Sequence, residues 1–428
     1  MVRDSKIDWI TLLLYLLTVC LGWFNLYSIS YEDDPSIINF NSHHGKQAVF
    51  ILISLGVGIF ILFLDTKFLE FLSYIVLGLS MVTLMAVLFM SKVGGASSWF
   101  VVGGIKIQPT EFAKVATLMA LAKYMSRFNF SFNRLQDFLL ACAAVAVPAG
   151  MVLLQNDAGS ALVFTGLIFM LYREGLNPLF LVGFFVVGIV GIVSIMLSTT
   201  PGATGIIIAI LIVLTAASAV FLALTNRTRL IVVAVGLGVF LAAIPLTINL
   251  VVKPYQSARI RVLVASDEQV LKEKKAGDHS LYNAGYQLRE SLVAIGSGGI
   301  SGKGFGNGTH TRGDFVPAEH TDYIYCVIGE EHGFMGSVTV LILYLLLLAR
   351  IIFLAENSKS RYARVYGYGA ASIIFMHVFV NVGMTIGLLP TIGIPLPFFS
   401  YGGSSVIAFS IMLFILMNHY SYRTNILN

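Results

Sequence analysis

What most constrains this chain is a series of apolar runs almost free of charge. They fall at about 9–30, 47–64, 71–91, 110–125, 138–154, 159–172, 178–198, 205–225, 230–252, 323–349, 366–389 and 404–418. A helix crossing hydrocarbon needs roughly 17–25 residues, and most of these runs are that long. Peptide groups inside lipid must pair within their own segment, which leaves the helix as the only form open to separate runs of this kind. The pattern predicts an all-α polytopic membrane protein, a helical bundle of about twelve spans. The runs at 110–125 and 159–172 are short, so they are expected to borrow flanking residues or to sit shielded by other helices. Composition agrees: the chain is 57% hydrophobic and 11% charged, with a mean hydropathy of +0.85. Soluble domains carry about 25% charge, so a soluble globular enzyme is excluded.

The basic residues orient the bundle. With both termini cytoplasmic, the inner segments hold Arg3, Lys6, Lys123, Arg127, Arg173, Arg227, Arg350 and Arg364, among others. The short outer segments hold only Lys46, Lys92, Lys106 and Lys114. Short cytoplasmic loops are the ones enriched in Lys and Arg. The first run has no small-residue cleavage site behind it and is expected to be a retained span. Cys20, Cys142 and Cys326 all lie in apolar runs, which points to packed thiols and not to a disulfide framework or a zinc site.

The segment 296–333 passes from a glycine-rich loop, through polar residues, into a membrane-length apolar run. His320, Thr321 and Asp322 stand at the turnover, with Glu330 and Glu331 further in. Asp322 and Glu330 are expected about 80° apart on one helix, with Glu331 on the opposite face. Two carboxylates deeper than a simple cap needs suggest a polar cavity. The long polar segment 253–322 begins with PYQSARIRV (254–262), expected as a short interfacial helix carrying Arg259 and Arg261. A charged run at 267–278 follows and reads as a solvated surface helix. Glu111 and Lys114 lie three apart just after Pro109, so they share a helix face. Gln155 and Asp157 sit between two spans. Residues 381–405 hold prolines and glycines between two spans and read as a re-entrant wall, with Ser400 and Ser404 at its end. All the ionisable residues that cap or enter spans fall in the outer half, and only His332 and His377 lie nearer the middle. A polar site therefore opens outward.

Each candidate also has a structural role open to it. Asp322 with Thr321 could cap the following helix, Asp157 likewise, and Glu111 with Lys114 could be a plain ion pair. Ser404 and Ser405 suit a helix start better than a nucleophile. The segment GSGGISGKGFGNG is not a nucleotide phosphate loop: Ser297 stands where the first glycine belongs, and Gly304 follows Lys303. A flexible loop bringing Lys303 near a lipid pyrophosphate is the better reading.

Five separated segments carry a resemblance. IQPTEFAK (107–114), QNDAGSAL (155–162), GYQLRESLVAIGSGGISGKGFGNGTH (285–310), FVPAEHTDYIYCVIGEEHGF (315–334) and NVGMTIGLLPTIGIPLPFFSYGGSS (381–405) together resemble the SEDS family of shape, elongation, division and sporulation proteins, in its elongation branch. The resemblance implies a SEDS-type bundle acting as a peptidoglycan glycosyltransferase in the bacterial plasma membrane. Such an enzyme polymerises lipid II, works beside a class B penicillin-binding protein of the elongation machinery, contacts membrane lipids and binds no nucleic acid. It places the family's essential aspartate on Asp322 and its Glu/Lys pair on Glu111 and Lys114. It implies inverting transfer with Asp322 as general base, the pyrophosphate being met by Lys114, Lys303, Arg259, Arg261 or a divalent magnesium or manganese ion. A lipid II transporter and a non-catalytic scaffold are the rival readings. The family commonly has ten spans, so 205–252 is expected to be an inserted pair within one transmembrane domain spanning 1–428. Asn156 and Ser98 depart from the family pattern, and Ile392 stands where division-type members often carry lysine.

Overall fold

The structure is a computed structural model that describes residues 7–31, 39–90, 97–102, 105–196, 254–263, 265, 279–311, 315–316 and 318–421. The runs 205–225 and 230–252, and the charged run 267–278, lie outside the described residues. In chain order the elements are α1 (Trp9–Ser30), α2 (His43–Phe63), α3 (Thr66–Val87), β1 (Phe100–Val102), β2 (Ile105–Ile107), α4 (Pro109–Met125), α5 (Leu135–Leu154), α6 (Ala158–Thr165), α7 (Leu167–Arg173), α8 (Pro178–Met196), α9 (Pro254–Arg261), α10 (His279–Ser297), α11 (Ile324–Glu356), α12 (Arg361–Thr385) and α13 (Gly403–Ser421). Every apolar run that falls on described residues is helical. Seven helices among the described residues are long and apolar enough to cross a membrane: α1, α2, α3, α5, α11, α12 and α13. Among the described residues the regular structure is helical apart from one short antiparallel hairpin, in which Val101 faces Lys106. Helix α10 was not foreseen, because its residues alternate polar and apolar with no long apolar run.

Local chemistry sets several helix starts. Asp8 caps α1 by accepting from Thr11 N–H at 2.9 Å, Ser42 caps α2 through Gly45 N–H, and Asp65 caps α3 through Lys67 N–H. Each such cap is worth about 1 kcal/mol. Pro109 opens α4, where its missing N–H goes unneeded.

The chain divides into two compact units. The first holds residues up to Leu176, Glu290–Ile386 and Ile392 onward; the second holds Asn177–Arg289 and Gly387–Thr391. In the first unit α4 is the interior element, buried along nearly its whole length and packed by α3, α5, α12 and α13. Ala113, Ala116, Ala120 and Ala122 let neighbouring backbones come close. Interior position explains why α4 can be short. Helices α12 and α13 are also largely buried, whereas α2, α3 and α5 expose Leu52, Phe60, Leu79, Val82 and Leu139, as lipid-facing helices do. The segments assigned to the cytoplasm by charge touch one another. Asp8 pairs with Arg350, Arg173 with Glu356 at 2.8 Å, and Glu174 with Arg364 at 3.2 Å. In the second unit α9 packs on α8, and Ala258, Val262 and Leu288 form a small core.

Helix α11 is broken at Gly333, whose φ of 63° and ψ of −159° only glycine adopts readily. The glycine loop 298–304 repairs the break. Phe334 N–H donates to Gly299 O and Met335 N–H to Ile300 O, while Lys303 N–H donates to Glu330 O and Gly304 N–H to Glu331 O. Broken backbone at membrane depth survives only where protein supplies such partners. A Cβ on Gly298 or Gly302 would collide with the carbonyls of Gly329 or Glu331. The glycines are there for close backbone approach, so the expectation of a flexible phosphate-facing loop is corrected.

Candidate active site

His320, Thr321 and Asp322 precede α11 in a turn set by Ala318. The N–H groups of Thr321, Asp322 and Tyr323 all converge on the Ala318 carbonyl. Ala318 has a φ of 59°, unusual for a residue with a Cβ. The N-cap of α11 is Tyr323, without a side-chain cap bond, and Thr321 Oγ1 turns back to Ala318 O. Thr321 therefore does not cap α11 through its hydroxyl, and the N-cap position falls on the residue after Asp322. Asp322 also lies before the helix, so the expected 80° offset from Glu330 does not apply.

Three successive carbonyls of this turn are pinned. Tyr401 N–H donates to His320 O at 2.8 Å, Ser400 Oγ donates to Thr321 O at 2.5 Å, and Asn381 Nδ2 donates to Asp322 O at 2.8 Å. Asn381 is fully buried on α12 and spans to Ile394 O with its other hydrogen, also at 2.8 Å. Tyr323 packs into a buried cluster with Ala294, Val316 and Cys326, which anchors the residue after Asp322. The Asp322 side chain stays half-buried. A Cβ built on Gly393 would stand 3.0 Å from Asp322 Oδ2, so the missing side chain there makes room for the carboxylate. Beside the turn, the His320 ring stacks on His43 at 4.4 Å and stands 6.0 Å from Tyr401.

The wall holding Ser400 is itself strained and tied down. Phe398 has a φ of 67°, a conformation costing roughly 1–3 kcal/mol that persists only where neighbours over-determine it. Here Tyr344 donates to Pro397 O, Phe399 and Ser400 N–H groups donate to Leu396 O, Leu396 N–H donates to Ser400 Oγ, and Gln47 donates to Ser400 O. A third non-glycine residue with positive φ, Asn156, stands next to Asp157.

Glu111 and Lys114 form a pair at 2.8 Å with both side chains 1% exposed. Lys114 Nζ is also 2.7 Å from His377 Nε2 on α12 and lies over the Phe409 ring. At that burial Lys114 is not a surface cation for a pyrophosphate, which corrects that expectation. Asp157 caps α6 through Ser160 N–H at 2.9 Å and accepts from Gln108 Nε2 at 2.8 Å, the plainer of its two readings. Gln108 N–H in turn donates to Ser404 Oγ, so Asp157, Ser404 and the start of α4 are joined through Gln108. Gln155 is fully buried, its side chain donates to Leu84 O at 2.9 Å, and its carbonyl accepts from Ser97 N–H at 3.0 Å, which ties α3, α5 and the segment before the hairpin together.

Protein donors meet both of the deeper carboxylates. Glu330 is fully buried and accepts from Lys303 Nζ at 2.5 Å, from the N–H groups of Thr309, His310 and Thr311, and from the hydroxyls of Thr309 and Thr311. Glu331 accepts from Ser28 on α1. Glu330 thus organises the loop 303–311, and Lys303 is its counter-ion. Lys303 also donates to Thr309 Oγ1 at 2.7 Å and keeps a quarter of its side chain exposed. Arg259 and Arg261 lie on α9 in the second unit. Among the described residues no three His, Cys, Asp or Glu side chains gather as a metal site.

Sequence reasoning missed Asn381 and gave His377 no role. A polar amide in the apolar run HVFVNVGM was the available signal for Asn381. Nothing local foretold that His377 meets a lysine so distant in sequence.

A profile of the FtsW/RodA/SpoVE family, described as cell cycle proteins, matches residues 8–204 and 202–425. The chain is 31% identical over 330 residues to the peptidoglycan glycosyltransferase MrdB of Escherichia coli K12, covering 77% of this chain and 72% of that one. It is 29% identical over 439 residues to the peptidoglycan glycosyltransferase RodA of Treponema pallidum, covering 97% of each. The crystal structure of the rod shape determining protein RodA from Thermus thermophilus superposes with a TM-score of 0.60 at 25% identity over 98% of both chains. A chain from a structure described as a peptidoglycan synthase complex that coordinates polymerization and crosslinking superposes with a TM-score of 0.68 at 27% identity, again over 98% of both. On a match that runs nearly from end to end, this multi-pass membrane protein belongs to the FtsW/RodA/SpoVE family.

Proposed function

We propose that the chain is a peptidoglycan glycosyltransferase that joins lipid II units into glycan strands for cell elongation, with Asp322 as its general base. The acceptor sugar hydroxyl attacks the anomeric carbon of the donor, inverting it. Its proton passes to an Asp322 oxygen, and polyprenyl pyrophosphate leaves with the bonding pair. Pyrophosphate departs without protonation, so one carboxylate is enough, unlike the carboxylate pair of glycoside hydrolysis. General-base assistance of this kind is worth roughly 10²–10⁴-fold.

The observation that carries the proposal is the mounting of Asp322. It is a half-buried carboxylate whose own carbonyl and the two before it are each held by a separate donor. Such fixation holds a base in attack geometry. Arg259 and Arg261 of the basic helix α9 are proposed as protein cations for the pyrophosphate. A magnesium or manganese ion, were one bound, would be held with a carboxylate and would supply positive charge for the leaving pyrophosphate. The site faces the outside of the bacterial plasma membrane, and a class B penicillin-binding protein cross-links the strands it makes.

Asp322→Asn tests the assignment. It is isosteric and leaves the pinned backbone in place, so the purified protein keeps its fold. Polymer from purified lipid II is expected to fall by about 10²-fold or more. Polymer at the normal rate removes Asp322 from the role.

A further inference from the structure

We infer that His377 is a positioning residue for this reaction, connecting the buried Glu111–Lys114 pair to the mounting of Asp322; the inference rests on Asp322 being the base. His377 is fully buried at the middle of α12. Its Nδ1 is 3.0 Å from the Pro395 carbonyl, and a carbonyl can only accept, so Nδ1 carries the hydrogen. Nε2 is then the acceptor, and it receives Lys114 Nζ at 2.7 Å. The Pro395 carbonyl and Lys114 thus place the ring hydrogen on Nδ1, and Glu111 holds Lys114 from its other side at 2.8 Å. The Phe409 ring stands edge-on to the imidazole at 4.9 Å and beneath the lysine, so both side chains are held in place.

Pro395 is the middle residue of the tripeptide Ile394-Pro395-Leu396, and each of the three has one backbone group held by a different side chain. Asn381 holds Ile394 O, His377 holds Pro395 O, and Ser400 Oγ accepts from Leu396 N–H at 2.8 Å. Asn381 and Ser400 are also the two side chains that pin the carbonyls of Asp322 and Thr321. Gly393, next to the tripeptide, is the backbone against which the Asp322 carboxylate lies. Releasing Pro395 therefore loosens the one short segment through which both side-chain pins and the carboxylate's backing are registered. A fully enclosed ion pair acquires an effect on a base it does not touch.

The test is a three-variant series at His377, assayed for polymer from purified lipid II, with detergent-solubilised Tm and lipid II binding measured beside it. His377→Asn keeps a donor near the Nδ1 position, His377→Gln keeps only an acceptor near Nε2, and His377→Phe keeps neither. Misplacing a catalytic group by a fraction of an ångström to one ångström lowers kcat by up to about 10²-fold, with KM held within about threefold. Phe and Gln are expected to show that loss, and Asn to recover to within about fivefold of the natural protein. Wild-type kcat in His377→Phe, or equal activity in Asn and Gln, overturns the inference. Should Phe fail to fold, the order of Asn over Gln decides alone. Asp322→Asn run in parallel separates the two ideas: a dead Asp322→Asn beside a normal His377→Phe sinks the relay and keeps the base. A fully active Asp322→Asn sinks the base, and the relay to it falls with it.

Discussion

The substitution Glu330→Gln probes the glycine loop most sharply. It preserves shape and removes charge. Glu330 Oε1 accepts from Lys303 Nζ at 2.5 Å, Thr309 N–H at 2.8 Å and His310 N–H at 3.0 Å, and Oε2 accepts from Thr311 N–H at 2.9 Å and Thr311 Oγ1 at 2.8 Å. A glutamine has one acceptor oxygen. Either way round, its NH₂ must face an N–H donor. Breaking a buried charge pair by removing one partner costs about 3–5 kcal/mol. Lys303 is 25% exposed and can take water once its partner is gone, which puts the expected loss near the low end, about 3 kcal/mol. That corresponds to roughly a hundredfold faster local opening. Hydrogen exchange read by mass spectrometry should show it in peptides covering 298–311, including the Lys303 and Gly304 amides bonded to the broken helix. Peptides from the buried α13 should not change. Unaltered exchange in 298–311 would refute the account of Glu330 as the loop's organiser. An equal rise in α13 would mean global loosening and refute its local character.

Other outcomes follow from the same contacts. Gly302→Ala meets both a φ of 79° and the Glu331 carbonyl, so Tm should fall by an amount matching about 2 kcal/mol or more, with the loop detached in exchange. Asp157→Ala removes the α6 cap and the Gln108 bond and should destabilise by about 1–2 kcal/mol without abolishing polymer, measured by Tm and turnover together. Burial pushes the Asp8 carboxyl up, but bonds from Arg350 and Thr11 outweigh it and hold the group below its usual value. Its contribution is therefore complete above the ordinary aspartate pKa and is lost as pH falls through the depressed one. Tm should drop below about pH 4, and Asp8→Asn should flatten that part of the curve.

The sequence disclosed the helices because exclusion of charge from long runs has one physical meaning in a bilayer. It disclosed Asp322 because a carboxylate just before such a run is conspicuous. The partners of the other carboxylates were beyond it. Glu330 and Glu331 looked like cavity walls because a cavity and a loop rich in N–H donors supply the same stabilisation, and composition does not distinguish them. The discriminating sign was the spacing of Gly298 and Gly302 before the Gly329 and Gly333 of α11, which permits backbone-to-backbone contact. Lys114 looked available to substrate because a helical offset from Glu111 reports the pair but not what encloses it. Helix α10 escaped notice because only one of its faces is apolar. Asn381 and His377 owe their importance to carbonyls in the 394–396 stretch, and no local pattern reports a partner across the bundle.

The repaired break in α11 also bears on how the protein is made. Half of the bonds that close the break come from carbonyls of residues 299 and 300, and the other half from the amides of 303 and 304. All four of those residues leave the ribosome before α11 does. The incoming helix therefore meets a waiting strip of peptide and need not bring unpaired groups into hydrocarbon on its own. Slower emergence of that strip, or its displacement by an insertion before residue 298, should show first as failed membrane integration of α11 and only afterwards as lost chemistry.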